Sequence, residues 1–117
     1  MKDYRSLDVV LVDFGDVEFS GEQGGVRPAV IIQNDKGNIH SSTTLVFPFS
    51  SKIKHVNQPT HSLIRPDNKN GLWKTSMVLG ECLRQISEER ILEKLGTITN
   101  QKDKDELRRV YYANACF

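Results

Sequence analysis

Arg27-Pro28-Ala29-Val30-Ile31-Ile32-Gln33-Asn34 follows directly on the polar loop Gly21-Glu22-Gln23-Gly24-Gly25-Val26, and its reading decides the fold. The β-branched run Val30-Ile31-Ile32 reads as a strand buried on both faces. Glycine permits positive φ, while Pro28 fixes its own φ and drives the residue before it into an extended conformation. Arg27 is therefore expected at a loop–strand junction, held extended. Its planar fork of donors suits a phosphate or carboxylate and is charged at any physiological pH. The local pattern fits an ordinary strand-edge salt bridge equally well.

Outward from that strand, further short strands are expected. Residues 7–14 alternate loosely and end near Gly15-Asp16. Residues 43–49 are β-branched and aromatic, with Pro48 assigning their end to an edge or a bulge. Residues 60–65, a brief segment near Met77-Val78, and residues 81–86 follow. Asn34-Asp35-Lys36-Gly37-Asn38 reads as a turn cluster. Five or six short strands joined by turns predict a small, strongly bent sheet or barrel.

Helices are expected at the end of the chain. Ser87-Glu88-Glu89-Arg90 offers a cap and two acids in a first turn, with Gly96 as a stop after Leu95. Asn100 caps a second helix, along which Leu107, Val110 and Tyr111 form a stripe. Both apolar faces read as core or subunit contact. The predicted class is mainly β, a small barrel with flanking C-terminal helices, in one domain over residues 1–117.

Composition narrows the function. No apolar run approaches membrane-spanning length, and the N-terminus lacks the pattern of a signal peptide. The two cysteines, Cys82 and Cys116, have no metal-ligand spacing and read as free thiols in a reducing, cytoplasmic compartment. The net charge of +1 hides an uneven distribution. Residues 1–26 carry two basic and six acidic side chains, whereas residues 27–75 carry seven basic and two acidic. Arg27, Lys36, Lys52, Lys54, Arg65, Lys69 and Lys74 make that middle third a candidate surface for a polyanion.

Several familiar chemistries have no signal. Gly24-Gly25 leads into Arg-Pro and a strand, so it is no phosphate loop opening a helix. His40, His55 and His61 with Cys82 make no recognisable metal spacing. His61 reads as a partly buried, hydrogen-bonded histidine of its strand, while His55 stands in a basic loop where a phosphate can reach it. Phe19 and Trp73 are candidate stacking platforms, with core or lid packing the competing role. What remains is a polar constellation: Glu22 and Gln23 before Arg27, Asn34 beyond its strand, and Ser50-Ser51 after the next. If those two strands pair antiparallel, Ser50 falls beside Arg27. Neither is a base poised near neutral pH, so a hydrolytic dyad makes little sense. A phosphoryl-transfer site does, because charge on phosphate oxygens needs fixed donors and a cation. Such a site suits RNA cleaved by its own 2′-hydroxyl, which needs no metal.

These blocks resemble a known family. Gly21-Glu22-Gln23-Gly24-Gly25-Val26-Arg27-Pro28, Gln33-Asn34-Asp35-Lys36-Gly37-Asn38, Phe49-Ser50-Ser51, Pro59-Thr60-His61 and Glu81-Cys82-Leu83-Arg84 are similar to the MazF/PemK toxin endoribonucleases. The resemblance covers roughly residues 8–96. It implies an SH3-like (CcdB/PemK-like) barrel, working as a homodimer without a cofactor or metal. It implies cleavage of single-stranded RNA, mostly mRNA, at short motifs, leaving 2′,3′-cyclic phosphate and 5′-hydroxyl ends. A cognate antitoxin would lay an acidic, partly disordered segment over the RNA surface. The family's catalytic arginine falls on Arg27 and its catalytic threonine on Ser50, which keeps the hydroxyl but loses the methyl that restrains its rotamer. RNA contacts are expected from Phe19, Glu22, Gln23, Asn34, Ser51, Lys52, Lys54, His55 and Trp73. The first strand departs from the pattern, since Leu7 replaces the glycine usual before Asp8-Val9. A second class stays open: a non-catalytic toxin that binds a protein target such as DNA gyrase. A plain nucleic-acid-binding barrel is a third.

Overall fold

The computed structural model describes residues 3–17 and 23–115. Seven strands and two α-helices follow in the order β1 (Asp8–Asp13), β2 (Val26–Ile31), α1 (Asp35–His40), β3 (Thr43–Ser50), β4 (His61–Ile64), β5 (Ser76–Leu79), β6 (Arg84–Ser87), β7 (Ile91–Thr97) and α2 (Gln101–Ala113). Every pairing is antiparallel, in the order β4-β5-β3-β2-β1-β7, with β6 also on β3.

Strand β3 is the hub. It pairs β2 on one side; on the other it pairs β6 through residues 43–46 and then β5 through Phe49 and Ser50. This switch explains a difference from expectation. Pro48 lies inside the strand, opposite Ala29, rather than on an edge. Ile32 donates to the Leu45 carbonyl, so odd-numbered groups of β3 face β2 and the Pro48 nitrogen faces the other side. There it meets the seam between β6 and β5, where no ladder bond is required of it.

The central strands bury both faces, as the run Val30-Ile31 suggests. Val9, Val30, Phe47 and Phe49 join one core cluster, with Leu107 and Val110 of α2 packed onto it. Val10, Val12, Ala29, Ile31 and Val46 join the other, closed by Ile86 and Ile91. The mainly β class with a flanking C-terminal helix therefore holds.

Four local expectations change. Residues 88–95 do not form a helix. Ser87 does act as a cap, its hydroxyl accepting from the Glu89 N–H, but the turn it opens is a single 3₁₀ turn, Glu88–Arg90. The chain then becomes β7, because β1 has an open edge and Ile91 opposite Val12 can be buried there. Gly96 is likewise not a helix stop. It marks a close crossing, where a Cβ would overlap the backbone of Lys69 and Asn70.

The cluster at residues 34–38 is more than a turn. Asn34 caps α1, its side chain accepting from the Gly37 N–H. Residues 81–86 begin as a 3₁₀ turn, Gly80–Cys82, before β6. The expected second helix is α2, with the Asn100 side chain accepting from Lys102 and Asp103 N–H groups. Leu107 and Val110 are buried as the stripe requires, while Tyr111 is exposed.

Asn38 fixes α1 to the sheet from a fully buried position. Its amide donates to the Gln33 carbonyl, and its carbonyl accepts from Thr44 Oγ1 at 2.7 Å. Asn38→Ala leaves these groups unpaired out of water, so a loss of about 2–3 kcal/mol is expected. A denaturant melt checks it: the midpoint should fall with the slope unchanged.

Candidate active site

The antiparallel register of β2 on β3 pairs Ala29 with Pro48. The paired ladder ends there; the same register continued two places brings Arg27 toward Ser50, and both line one cavity. Among the described residues three oxygens fix the guanidinium: Nε donates to the Gly24 carbonyl at 3.1 Å, and Nη1 to Gln23 Oε1 at 2.7 Å and the Phe49 carbonyl at 3.4 Å. All three acceptors are neutral. Among the described residues no carboxylate forms an ion pair with Arg27. The salt-bridge alternative therefore finds no partner there. A cation oriented by neutral dipoles keeps its charge for an incoming anion.

The backbone explains the approach. Gly25 has φ of 74°, which returns the chain toward β1; its N–H donates to the Gly15 carbonyl and its carbonyl accepts from Phe14. Arg27 then enters β2 opposite Val12. Ser50 ends β3, with its hydroxyl turned into the following loop. Oγ accepts from the Lys52 N–H at 3.1 Å and donates weakly to the Lys52 carbonyl at 3.3 Å.

Arg27 and Ser50 share an open cavity of about 930 Å³. Gln23, Ser51, Lys52, Lys54, His55 and Trp73 line it with them. Trp73 stands at its wall 95% exposed, which rules out core packing for that side chain. Of the seven basic residues in the middle third, Arg27, Lys52, Lys54 and Lys74 face this cavity, against the carboxylates Glu81 and Glu93. The charge imbalance read from sequence thus becomes a locally positive cleft.

Two sequence candidates, Phe19 and Glu22, lie outside the described residues. Asn34 is not part of this cleft. It caps α1 and lines a separate cavity of about 420 Å³ with Lys104, Arg108, Tyr111 and Tyr112. The physical reason is strand length: Asn34 lies past the far end of β2 from Arg27, and its side chain is committed to the helix terminus.

Residues that the sequence did not single out for the site also line it: Gln58, His61, Glu81 and Cys82. Cys82 neighbours Arg27 and Gln23 closely enough to feel both. Burial and the Glu81 charge push its thiol above the ordinary range, opposed by the Arg27 charge and the Gln23 hydrogen bond. The net shift disfavours the thiolate, the form in which a cysteine acts as a nucleophile. Among the described residues, no group of three His, Cys, Asp or Glu could hold a metal ion. No helix among them is long and apolar enough to cross a membrane.

Comparisons with known proteins agree with this architecture. A family model described as PemK-like, MazF-like toxin of type II toxin–antitoxin systems matches residues 5–111. A curated relative from Staphylococcus saprophyticus, endoribonuclease MazF, is 42% identical over 101 residues, covering 86% of this chain and 82% of that protein. Among solved structures, a mycobacterial endoribonuclease in complex with its cognate antitoxin superposes with a TM-score of 0.76 at 16% identity, over 95% of this chain and 93% of that one. MazF from Deinococcus radiodurans gives 0.72 at 23% identity, over 96% and 94%. Likenesses at such identities speak for the fold.

Proposed function

This chain belongs to the PemK-like, MazF-like toxins of type II toxin–antitoxin systems, and on that premise we propose that it cuts single-stranded mRNA at a short sequence motif, without a metal ion, in the cytoplasm. The observation that carries the reading is an arginine held by neutral acceptors beside a serine hydroxyl in a positive cleft.

The chemistry follows from those groups. The 2′-hydroxyl of the RNA attacks the adjacent phosphorus, and the P–O5′ bond breaks. The products are a 2′,3′-cyclic phosphate and a 5′-hydroxyl; the proton lost by the 2′-oxygen passes to water and one is delivered to the 5′-oxygen, so protons balance. Arg27 binds the scissile phosphate, stabilises the charge that builds on its oxygens and shares in proton transfer. Ser50 turns its hydroxyl from the weak 3.3 Å bond with the Lys52 carbonyl to a phosphate oxygen. Lys52 and Lys54 attract the backbone, Gln23, Ser51 and His55 add polar contacts, and Trp73 offers a face on which a base stacks. The same positive cleft suits an acidic segment of a cognate antitoxin, which would inhibit by occupying it. A homodimer is part of the proposal.

The test incubates purified protein and EDTA with a long mixed-sequence RNA and maps the 5′ ends of the products. Discrete cuts at one motif, bearing 5′-hydroxyl ends, are expected. Intact RNA at high protein concentration would overturn the reading in favour of a toxin acting on a protein target.

A further inference from the structure

The loop between β3 and β4 carries Ser51, Lys52, Lys54 and His55 along the cleft, yet residues 51–59 are all exposed. Such a loop needs an anchor if its cations are to stand in fixed places. Ser50 ties down its start through Lys52. Beyond that, among the described residues, the hydrogen bonds that reach residues 53–57 converge on one atom, the carbonyl oxygen of His55. It accepts from the Gln58 N–H at 3.0 Å, a local turn, and meets His61 Nδ1 at 2.9 Å. His55 itself has φ of 55°, a left-handed conformation uncommon for a residue with a side chain.

His61 is well placed to hold that strained residue. It opens β4, is 5% exposed, and pairs in register with Leu79 of β5. Its other ring nitrogen, Nε2, lies 2.7 Å from Glu81 Oε2, and that oxygen also accepts from the Gln58 side chain at 2.8 Å. A buried ring hydrogen-bonded through both nitrogens has its orientation fixed. Helix α2 secures the backbone beneath it: Arg109 donates to the Pro59 carbonyl at 2.7 Å and to the His61 carbonyl at 2.9 Å. The rigid end of the sheet thus grips an exposed loop at its midpoint.

We propose that His61 is a positioning residue, which by pinning the His55 carbonyl holds the β3–β4 loop and its cations against the Arg27–Ser50 cleft. It touches no reacting atom in this role. Glu81 orients the ring, and Nδ1 makes the contact that matters. The proposal rests on the RNA-cleaving reading for its functional consequence, but its structural half stands independently of that reading.

Two substitutions separate the nitrogens. Asparagine sets its amide nitrogen near the Nδ1 position, so His61→Asn can still donate to the His55 carbonyl. Glutamine reaches the Nε2 position, so His61→Gln keeps a donor to Glu81 and releases the loop. Amide hydrogen exchange at Gln58, whose N–H bonds to the His55 carbonyl, and steady-state RNA cleavage are measured on both. His61→Gln is expected to speed loop exchange and raise KM, each about tenfold, the loss of one hydrogen bond to a fixed partner. Its kcat should stay within about threefold of the parent, because Arg27 and Ser50 are untouched. His61→Asn should restore both readouts. Equal behaviour of the two variants, whether both unchanged or both loosened, would overturn the assignment. So would a loss of folding in both, which would make His61 a residue of the core. If the parent protein cuts no RNA, the functional reading fails while the exchange comparison still decides the clamp.

Discussion

A protein carrying Arg27→Ala is expected to cut RNA about a thousandfold more slowly, the scale on which fixed donors to a developing oxyanion act. The size follows from how the guanidinium is held. Among the described residues its bonds to Gly24, Gln23 and Phe49 orient it without neutralising it, so in the proposed reaction its charge is available to the phosphate. Arg27→Lys keeps a charge but replaces the planar fork with a flexible point, and should recover only about tenfold of the loss. The fold should survive in either case. Arg27 is half-buried, and water can take over its three acceptors. Single-turnover cleavage beside a thermal melt checks both statements. A folded Arg27→Ala protein that retains parental cleavage would remove Arg27 from the chemistry.

Ser50 makes an informative contrast. Its hydroxyl is already engaged with Lys52, so a phosphate oxygen must compete with the loop for it. Ser50→Ala should therefore cost less than Arg27→Ala, on the order of tenfold to a hundredfold. In Ser50→Thr the added methyl restricts χ1, which narrows that competition.

Much of this arrangement is legible from local sequence because the decisive pairing is local. Strands β2 and β3 are consecutive apart from α1, and antiparallel pairing of neighbours is the default. The opposition of Arg27 and Ser50 follows from that rule and a register. Lys52 and Lys54 were within reach because the cleft lies at the end of β3 from which their loop departs, while Trp73 joins it from the connection between β4 and β5. What stayed hidden was non-local. Cys82 and Glu81 reach the cleft only because β3 changes partner from β6 to β5, and no local pattern announces that switch. The direction of Asn34 was equally hidden, since a capping asparagine and a ligand-binding one look alike in sequence.

The segment at 88–95 shows how a correct signal can support the wrong element. Ser87, the two acids and the later glycine are what a short helix displays, and the cap does form. Helix propensity, however, is a weak prior beside an open strand edge. Ile91 is buried against Val12, and the bulges between Val9 and Val10 and between Leu11 and Val12 let β7 follow the bend of β1.

Gly96→Ala is the test of that account, and the added methyl should be strongly damaging. At Gly96 the strand β7 crosses the turn at 66–71, and the Thr97 N–H donates to the Lys69 carbonyl at 2.8 Å. A Cβ at 96 would strike the backbone of Lys69 and Asn70, which cannot swing aside as a side chain would. Asn70 is fully buried there, its carbonyl oxygen accepting from the Asp67 and Leu72 N–H groups and its amide donating to the Arg65 carbonyl. Shifting that turn breaks the set together, so the loss should reach about 3–4 kcal/mol, the upper range for overpacking. For a domain of this size that lowers Tm by about 15 °C. If residues 88–95 were instead a helix ending at Gly96, alanine would only cap it less well and cost about 1 kcal/mol. Calorimetry separates the two. The turn also leads directly to Leu72 and Trp73 on the cleft wall. Below its lowered melting point, Gly96→Ala should therefore bind RNA more weakly.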